Sequence, residues 1–141
     1  MKKYEFTGEV KILFGRTLHQ IRALIDFSIV KAGELGGWIE KENNLSHDGN
    51  AWVYGNARVC GDARVCGDAD YTTIKGFGRE FRTTTFFRCK DKLVRVRCGC
   101  FYGTISEFRE KVRETHSDTK LAKEYLSIAD LMEYHFTEEE S

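Results

Sequence analysis

The chain has 141 residues, of which 41% are apolar and 31% charged, and its 22 basic side chains cancel its 22 acidic ones. That length suits one domain, or a short solenoid with small appendages, and the cancelled charge leaves no global field to draw nucleic acid or an acidic partner. No stretch approaches the roughly 18 apolar residues of a membrane-spanning helix, and Met1-Lys2-Lys3 leads into Tyr-Glu-Phe instead of the apolar core of a secretory leader. With five cysteines, an odd number, and no disulfide framework, we expect a cytoplasmic protein in a reducing compartment with no membrane partner.

Charge is uneven locally. Residues 72–103 carry eight basic and two acidic side chains, and residues 104–141 carry five and ten. This predicts two parts that lie against each other.

In chain order, residues 4–27 read as β structure. Val10, Ile12 and Phe14 alternate, Gly15-Arg16 can turn, and Ile21, Ala23, Ile25 and Phe27 alternate again. A helix over 18–27 is the rival reading, since Leu18, Ile21, Leu24 and Ile25 also fit helical spacing. Residues 30–37 are a turn-rich bridge. The expected units are an N-terminal β cap at 1–36, a repeat region at 37–73 and a C-terminal unit at 74–141.

From Asn50 to Tyr71 the chain repeats one six-residue phrase nearly four times: NAWVYG, NARVCG, DARVCG, DADY. Ala recurs at 51, 57, 63 and 69, with Val53, Val59, Val65 and Tyr71 two residues on. A fixed short period marks a solenoid. Alternation points Ala and Val inward and Trp52, Arg58 and Arg64 outward, while Gly-Asn and Gly-Asp pairs turn the corners. A degenerate copy starts at Gly37-Trp38-Ile39 and Asn43-Asn44-Leu45, and two extra residues around His47-Asp48-Gly49 should bulge outward. Six faces, at 39, 45, 53, 59, 65 and 71, give about two coils. So thin a slab needs caps, a partner subunit, or both.

Beyond Tyr71, Phe81, Thr83, Thr85, Phe87 and Cys89 alternate toward a turn at Lys90-Asp91-Lys92, and Val94, Val96, Cys98 and Cys100 alternate on the return. Pairing Cys89 with Val94 predicts a hairpin whose other face carries Arg82, Phe86, Arg88, Arg95 and Arg97. Two helices follow. The first opens on the capping-box pair Thr104 and Glu107 with a stripe of Ile105, Phe108 and Val112. The second spans about 118–136, with Leu121, Tyr125, Ile128, Met132 and His135 on one face and Glu138–Ser141 as a frayed tail. The fold class is thus mainly β with α.

The stretch GGWIEKENNLSHDGNAWVYGNARVCGDARV resembles the hexapeptide-repeat, left-handed β-helix proteins. With LHQIRALIDF, VKAGELGGWIE, CGCFYGTISEF and THSD it is similar to a family of small proteins of phage and prophage genomes, whose members usually carry longer runs of the repeat. The resemblance implies left-handed winding, a bacterial host cell as the setting, and threefold association along the flat faces. Acyltransferase activity among distant relatives is a fold-level analogy.

The candidate site residues fall into three groups. His47, on the insertion, is the weak catalytic candidate: similar acyltransferases place a base His on a loop leaving the helix, where it deprotonates the acceptor of an acyl group. The bland alternative is a polar solenoid corner, and two coils offer little wall for a pantetheine arm. On the hairpin, Arg88 would face Arg95, and like charges in opposition require a counter-charge. That is either the acidic side of the two helices, or a nucleotide-like or other phosphate-bearing ligand gripped by Arg88, Arg95 and Arg97 with Phe86 free to stack. Trp52, Tyr54, Cys60 and Cys66 would form an uncharged outer rim, hence the oligomer interface, with a trimer favoured over a dimer. Cys98, Cys100 and Cys89 lack the fourth ligand zinc requires, so no metal and no cofactor is expected, and they read as small buried hydrophobes. His116 reads as a turn residue.

For function, the absence of a convincing catalytic constellation favours a non-enzymatic accessory protein that acts on the bacterial host by binding. Its partner would be a host or defence protein, as in counter-defence, or a phosphorylated signalling ligand. The alternatives are an acyl-CoA-dependent acyltransferase using His47 and a purely structural oligomerisation scaffold.

Overall fold

A computed structural model of the chain describes residues 2–67, 70–78 and 82–137, Arg82 by its backbone alone. The expectations for Ala69, Phe81, the Arg82 side chain and the tail 138–141 lie outside the described residues. The strands are β1 (Tyr4–Leu13), β2 (Arg16–Ala23), β3 (Leu35–Ile39), β4 (Arg58–Val59), β5 (Tyr71–Phe77), β6 (Arg82–Arg88), β7 (Val94–Cys98) and β8 (Phe101–Thr104). The helices are α1 (Ile105–His116) and α2 (Lys120–His135). The strands form two four-stranded sheets, β1-β2-β3-β4 and β5-β6-β7-β8.

In the first sheet β1 and β2 form an antiparallel hairpin. Its two turn residues are Phe14 and Gly15, both at positive φ (51° and 82°), which matches the twist of the flanking strands. β3 pairs antiparallel with β2 and parallel with β4, so it straddles residues 36 and 37, where a boundary was predicted.

The repeat region then stacks on itself. Trp38 pairs with Arg58, Ile39 with Val59 and Leu45 with Val65, all in parallel and all 20 residues apart. That interval equals three six-residue elements plus the two-residue insertion. Ile39, Leu45, Val53, Val59 and Val65 are at most 1% exposed, and Ala51, Ala57 and Ala63 at most 2%. Asn44 ties the layers together: its Nδ2 donates to the carbonyls of Gly61 and Ala63, and its Oδ1 accepts from the amides of Glu40 and Lys41.

Three sequence expectations are corrected here. Tyr71 is not a sixth coil face; it opens β5, which runs antiparallel to β6. The C-terminal sheet is a four-stranded meander, since β5 and β8 flank the predicted hairpin. The hairpin register is also displaced by one residue: Arg88 pairs with Val94 and Phe87 with Arg95. Because side chains alternate, a one-residue slip exchanges the faces. Phe86 and Val96 therefore turn toward the helices, and Phe87 turns toward the repeat region. Within the meander β6 is buried on both sides and separates two cores, one around the stacked repeats and one under the helices.

The helices follow from local chemistry. At the start of α1 the Thr104 hydroxyl accepts from the Glu107 amide while the Glu107 carboxylate accepts from the Thr104 amide, the reciprocal pair that satisfies orphan N–H groups. Thr119 caps α2 through the Ala122 amide. Ile105, Phe108 and Val112 of α1 meet Tyr125, Ile128 and Met132 of α2 over the meander.

Candidate functional site

The insertion carrying His47 folds inward, clamped by the first residues of the chain. The Lys3 amide donates to His47 Nδ1 at 3.0 Å, and the Lys3 ammonium donates to the carbonyls of Ala51 (2.6 Å) and Gly49 (3.4 Å). The Tyr4 hydroxyl donates to the carbonyls of Leu45 and Glu42, and its ring stacks on the imidazole at 4.0 Å and 11°. The predicted outward bulge is thus corrected for His47, while Asp48, Gly49 and Asn50 are exposed. Adjacent positions 3 and 4 can grip one loop twice because Lys3 contributes its backbone and Tyr4 its ring.

This geometry limits the chemistry of His47. An Nδ1 that accepts an amide proton places the imidazole's own proton on Nε2, and Nε2 is buried with no hydrogen-bond partner among the described residues. A general base needs a free lone pair within hydrogen-bond reach of the proton it takes, and here that lone pair is occupied. Burial, reinforced by the charges of Lys2 and Lys3 against the opposing pull of Glu42, holds the imidazole pKa below its ordinary value.

The predicted arginine face does not exist as a face. Arg88 pairs with Asp70 (3.3 Å), donates to the Phe136 carbonyl (3.2 Å) and lies over the Phe136 ring. Arg95 makes a two-pronged pair with Asp91, at 3.0 and 2.9 Å, from the opposite side of the sheet. That pair holds the Asp91 carboxyl below the usual carboxylate range. Arg97, 4% exposed, donates to the Leu13 carbonyl and lies over Phe14, pinning the β1–β2 turn. Phe86 is no stacking platform either: it is fully buried, edge-on to Phe108. Among the described residues the carboxylates paired with Arg88 and Arg95 are Asp70 and Asp91, not those of the helices.

The outer rim is likewise dispersed. Trp52 is fully buried, edge-on to Tyr4 and Phe27, because the N-terminal strands cover that side of the coils. Cys60 is 1% exposed, and burial pushes its thiol up to about 11. Cys66 is exposed and Tyr54 is 45% exposed.

What the structure does assemble are two clefts beside the helices. The first, about 320 Å³, has Phe101 and Phe108 in its wall and Cys98, Lys111, His116 and Tyr125 around it. There Thr84 donates to the Cys98 sulfur at 3.3 Å, and the thiol reaches the Tyr125 hydroxyl at 4.0 Å. His116 stacks on Tyr125. Cys89 lies in the other core, separated from Cys98 by the register shift. Among the described residues no three His, Cys, Asp or Glu side chains gather as metal ligands. The second cleft, about 510 Å³, brings Arg88 and Lys92 to the N-terminus of α1 at Thr104, Ile105 and Ser106. Sequence reasoning missed both, because their walls come from the pairing of β7 with β8 and from helix packing. The one available signal was the aromatic pair Phe101-Tyr102 after Gly99, a strand-forming run behind a turn residue.

Among the described residues no helix is long and apolar enough to cross a membrane. No family model matches the chain. Over 37 residues, 26% of its length, the chain is 51% identical to the uncharacterized acetyltransferase YdcK of Escherichia coli strain K12, and that match spans 11% of the relative's length. Over about a quarter of itself, then, the chain is similar to a protein named as an acetyltransferase, a match compatible with the hexapeptide-repeat resemblance.

Proposed function

We propose that this protein acts by binding and not by catalysis, on a short β-helix of the hexapeptide-repeat type capped by the N-terminal hairpin. The observation that carries the reading is the state of His47, whose acceptor nitrogen is taken by the Lys3 amide and whose other nitrogen is buried. The phage and prophage resemblance supplies the setting: an accessory factor acting on a bacterial host or defence protein, or on a phosphorylated signalling molecule. For an anionic ligand, the second cleft is the favoured place. Lys92, and Arg88 alongside its pair with Asp70, there adjoin the N-terminus of α1, where backbone N–H groups and the helix dipole favour negative charge, with Glu133 in the opposite sense in the same wall.

The test is incubation of purified protein with acetyl-CoA and a panel of amine and hydroxyl acceptors. Release of free CoA should stay at the buffer level, for the parent and for His47→Ala alike. Turnover that disappears in His47→Ala overturns the binding reading and establishes acyl transfer, the second reading, which the match to the acetyltransferase favours. Separately, titration with pyrophosphate and nucleoside diphosphates should give heat that Lys92→Ala weakens several-fold. Equal heats in parent and variant would remove that cleft from the proposal.

A further inference from the structure

We propose that Cys98 and Cys100 form a redox-active dithiol, which closes to an intrachain disulfide by exchange with a small anionic disulfide of the glutathione type. The cysteines differ in their surroundings. Cys60 and Cys89 are buried, and burial holds both thiols above their ordinary pKa, which leaves little nucleophilic thiolate. Cys66 is exposed, with no second thiol beside it in sequence. Cys98 is half-buried and Cys100 exposed, whereas alternation along the strand predicted small buried hydrophobes.

Spacing, access and charge bring these two thiols to one reaction. Cys98 pairs with Phe101 across a two-residue turn of Gly99 and Cys100, with Gly99 at φ 58°. Successive Cα atoms lie about 3.8 Å apart, so a turn holds positions two apart within the roughly 4.4–6.8 Å that a disulfide spans. A ring that encloses one residue is strained, and a strained disulfide is readily reduced again, as a reversible couple requires. Both cysteines line the cleft of about 320 Å³ beside α1 and α2. The Thr84 hydroxyl donates to the Cys98 sulfur there at 3.3 Å, a contact that favours the thiolate. Lys111 and His116 line the same cleft, and among the described residues no carboxylate does. Lys111 enters no ion pair among the described residues. Such a wall supports a thiolate and draws an anionic substrate.

The exchange runs in two displacements. Cys100, the exposed thiol, loses its proton to solvent and attacks one sulfur of the substrate. The substrate's sulfur–sulfur bond breaks, a mixed disulfide forms on Cys100, and the first small thiolate leaves and takes up a proton. The Cys98 thiolate then attacks the Cys100 sulfur, the intrachain bond forms, and the second small thiol leaves. The protein gives up two electrons and two protons, and the substrate disulfide, reduced to two thiols, receives them.

The test is to incubate the fully reduced protein with oxidised glutathione, quench with an alkylating agent in denaturant, and follow the products by mass spectrometry. The first product should be lighter by two hydrogen atoms, with the bond mapped to the peptide that holds Cys98 and Cys100 while Cys66 is still free. Cys66→Ser should close the same bond, and Cys98→Ser should stop at the mixed disulfide on Cys100. Lys111→Glu should slow the reaction with oxidised glutathione roughly threefold or more and leave that with neutral 2-hydroxyethyl disulfide unchanged. No oxidation, glutathione adducts on Cys66 that precede the intrachain bond, or separate adducts on Cys98 and Cys100 each overturn the dithiol. A Cys98→Ser protein that takes up no glutathione overturns Cys100 as the attacking thiol. Equal glutathione rates for the parent and Lys111→Glu overturn the anionic substrate.

Discussion

His47 shows how a residue's surroundings redirect its chemistry. Protonation would put a cation on a half-buried imidazole stacked against Tyr4 beside Lys3, and it would abolish the acceptor that the Lys3 amide uses. Its folded pKa lies below the ordinary imidazole value, so the unfolded chain takes up the proton first. The stability that His47 contributes is therefore complete above about pH 6.5 and is lost as the pH falls through that value toward the folded pKa. Melting temperatures measured from about pH 7.5 to about pH 5 should fall more steeply for the parent than for His47→Gln; parallel curves would refute the coupling. Trp52 makes the complementary case. A fully buried indole between Tyr4 and Phe27 should cost about 3–5 kcal/mol when cut to Ala, read from urea unfolding. A loss within about 0.5 kcal/mol would instead fit a surface residue.

Among the elements, the stacked coils depend on how closely backbones approach. A Cβ on Gly37 would sit 2.8 Å from a Val53 methyl, 2.9 Å from the Ala57 carbonyl and 3.0 Å from the Tyr54 carbonyl. Two of those neighbours are backbone and cannot swing away, so Gly37→Ala should cost about 1–3 kcal/mol in a denaturant titration. Unaltered stability would show that the coils stand further apart. At the other end of the chain, α1 owes its start to the Thr104 hydroxyl. Thr104→Ala should lose about 1 kcal/mol by thermal unfolding, and Thr104→Ser should keep most of it. The hairpin register belongs to this scale too. Alternation along 82–98 shows two strands, but two faces of similar polarity leave their relative offset open, and the packing partners on either side decide it.

The whole molecule is two cores divided by one strand. Phe86 belongs to the helix core and Phe87, its neighbour, to the repeat core, so β6 cannot loosen for one without the other. Both tryptophans, Trp38 and Trp52, report the repeat core, whereas helical circular dichroism reports the other. Phe86→Ala should therefore lower the unfolding midpoint seen by tryptophan fluorescence together with that seen at 222 nm, each by the equivalent of about 3–5 kcal/mol. A fluorescence transition that stays in place while the helices melt early would show two independent units.

Some of this was legible in the sequence. The six-residue period named the inward positions Ile39, Leu45, Val53, Val59 and Val65, and the four-three spacing with its capping pair named the two helices. These are local periodicities, set by how side chains alternate or spiral along their own backbone. What only the tertiary structure decided is what covers the opposite side of each element. Trp52 and Cys60 were outward on their coil and became core because the hairpin cap and the meander lie over them. Arg88, Arg95 and Arg97 were one face by alternation and became three separate anchors once the register moved by one residue. His47 was a loop residue by sequence and became a clamp because residues 3 and 4, more than 40 positions away, fold onto it. Such contacts depend on the packing of distant elements, which no local period encodes.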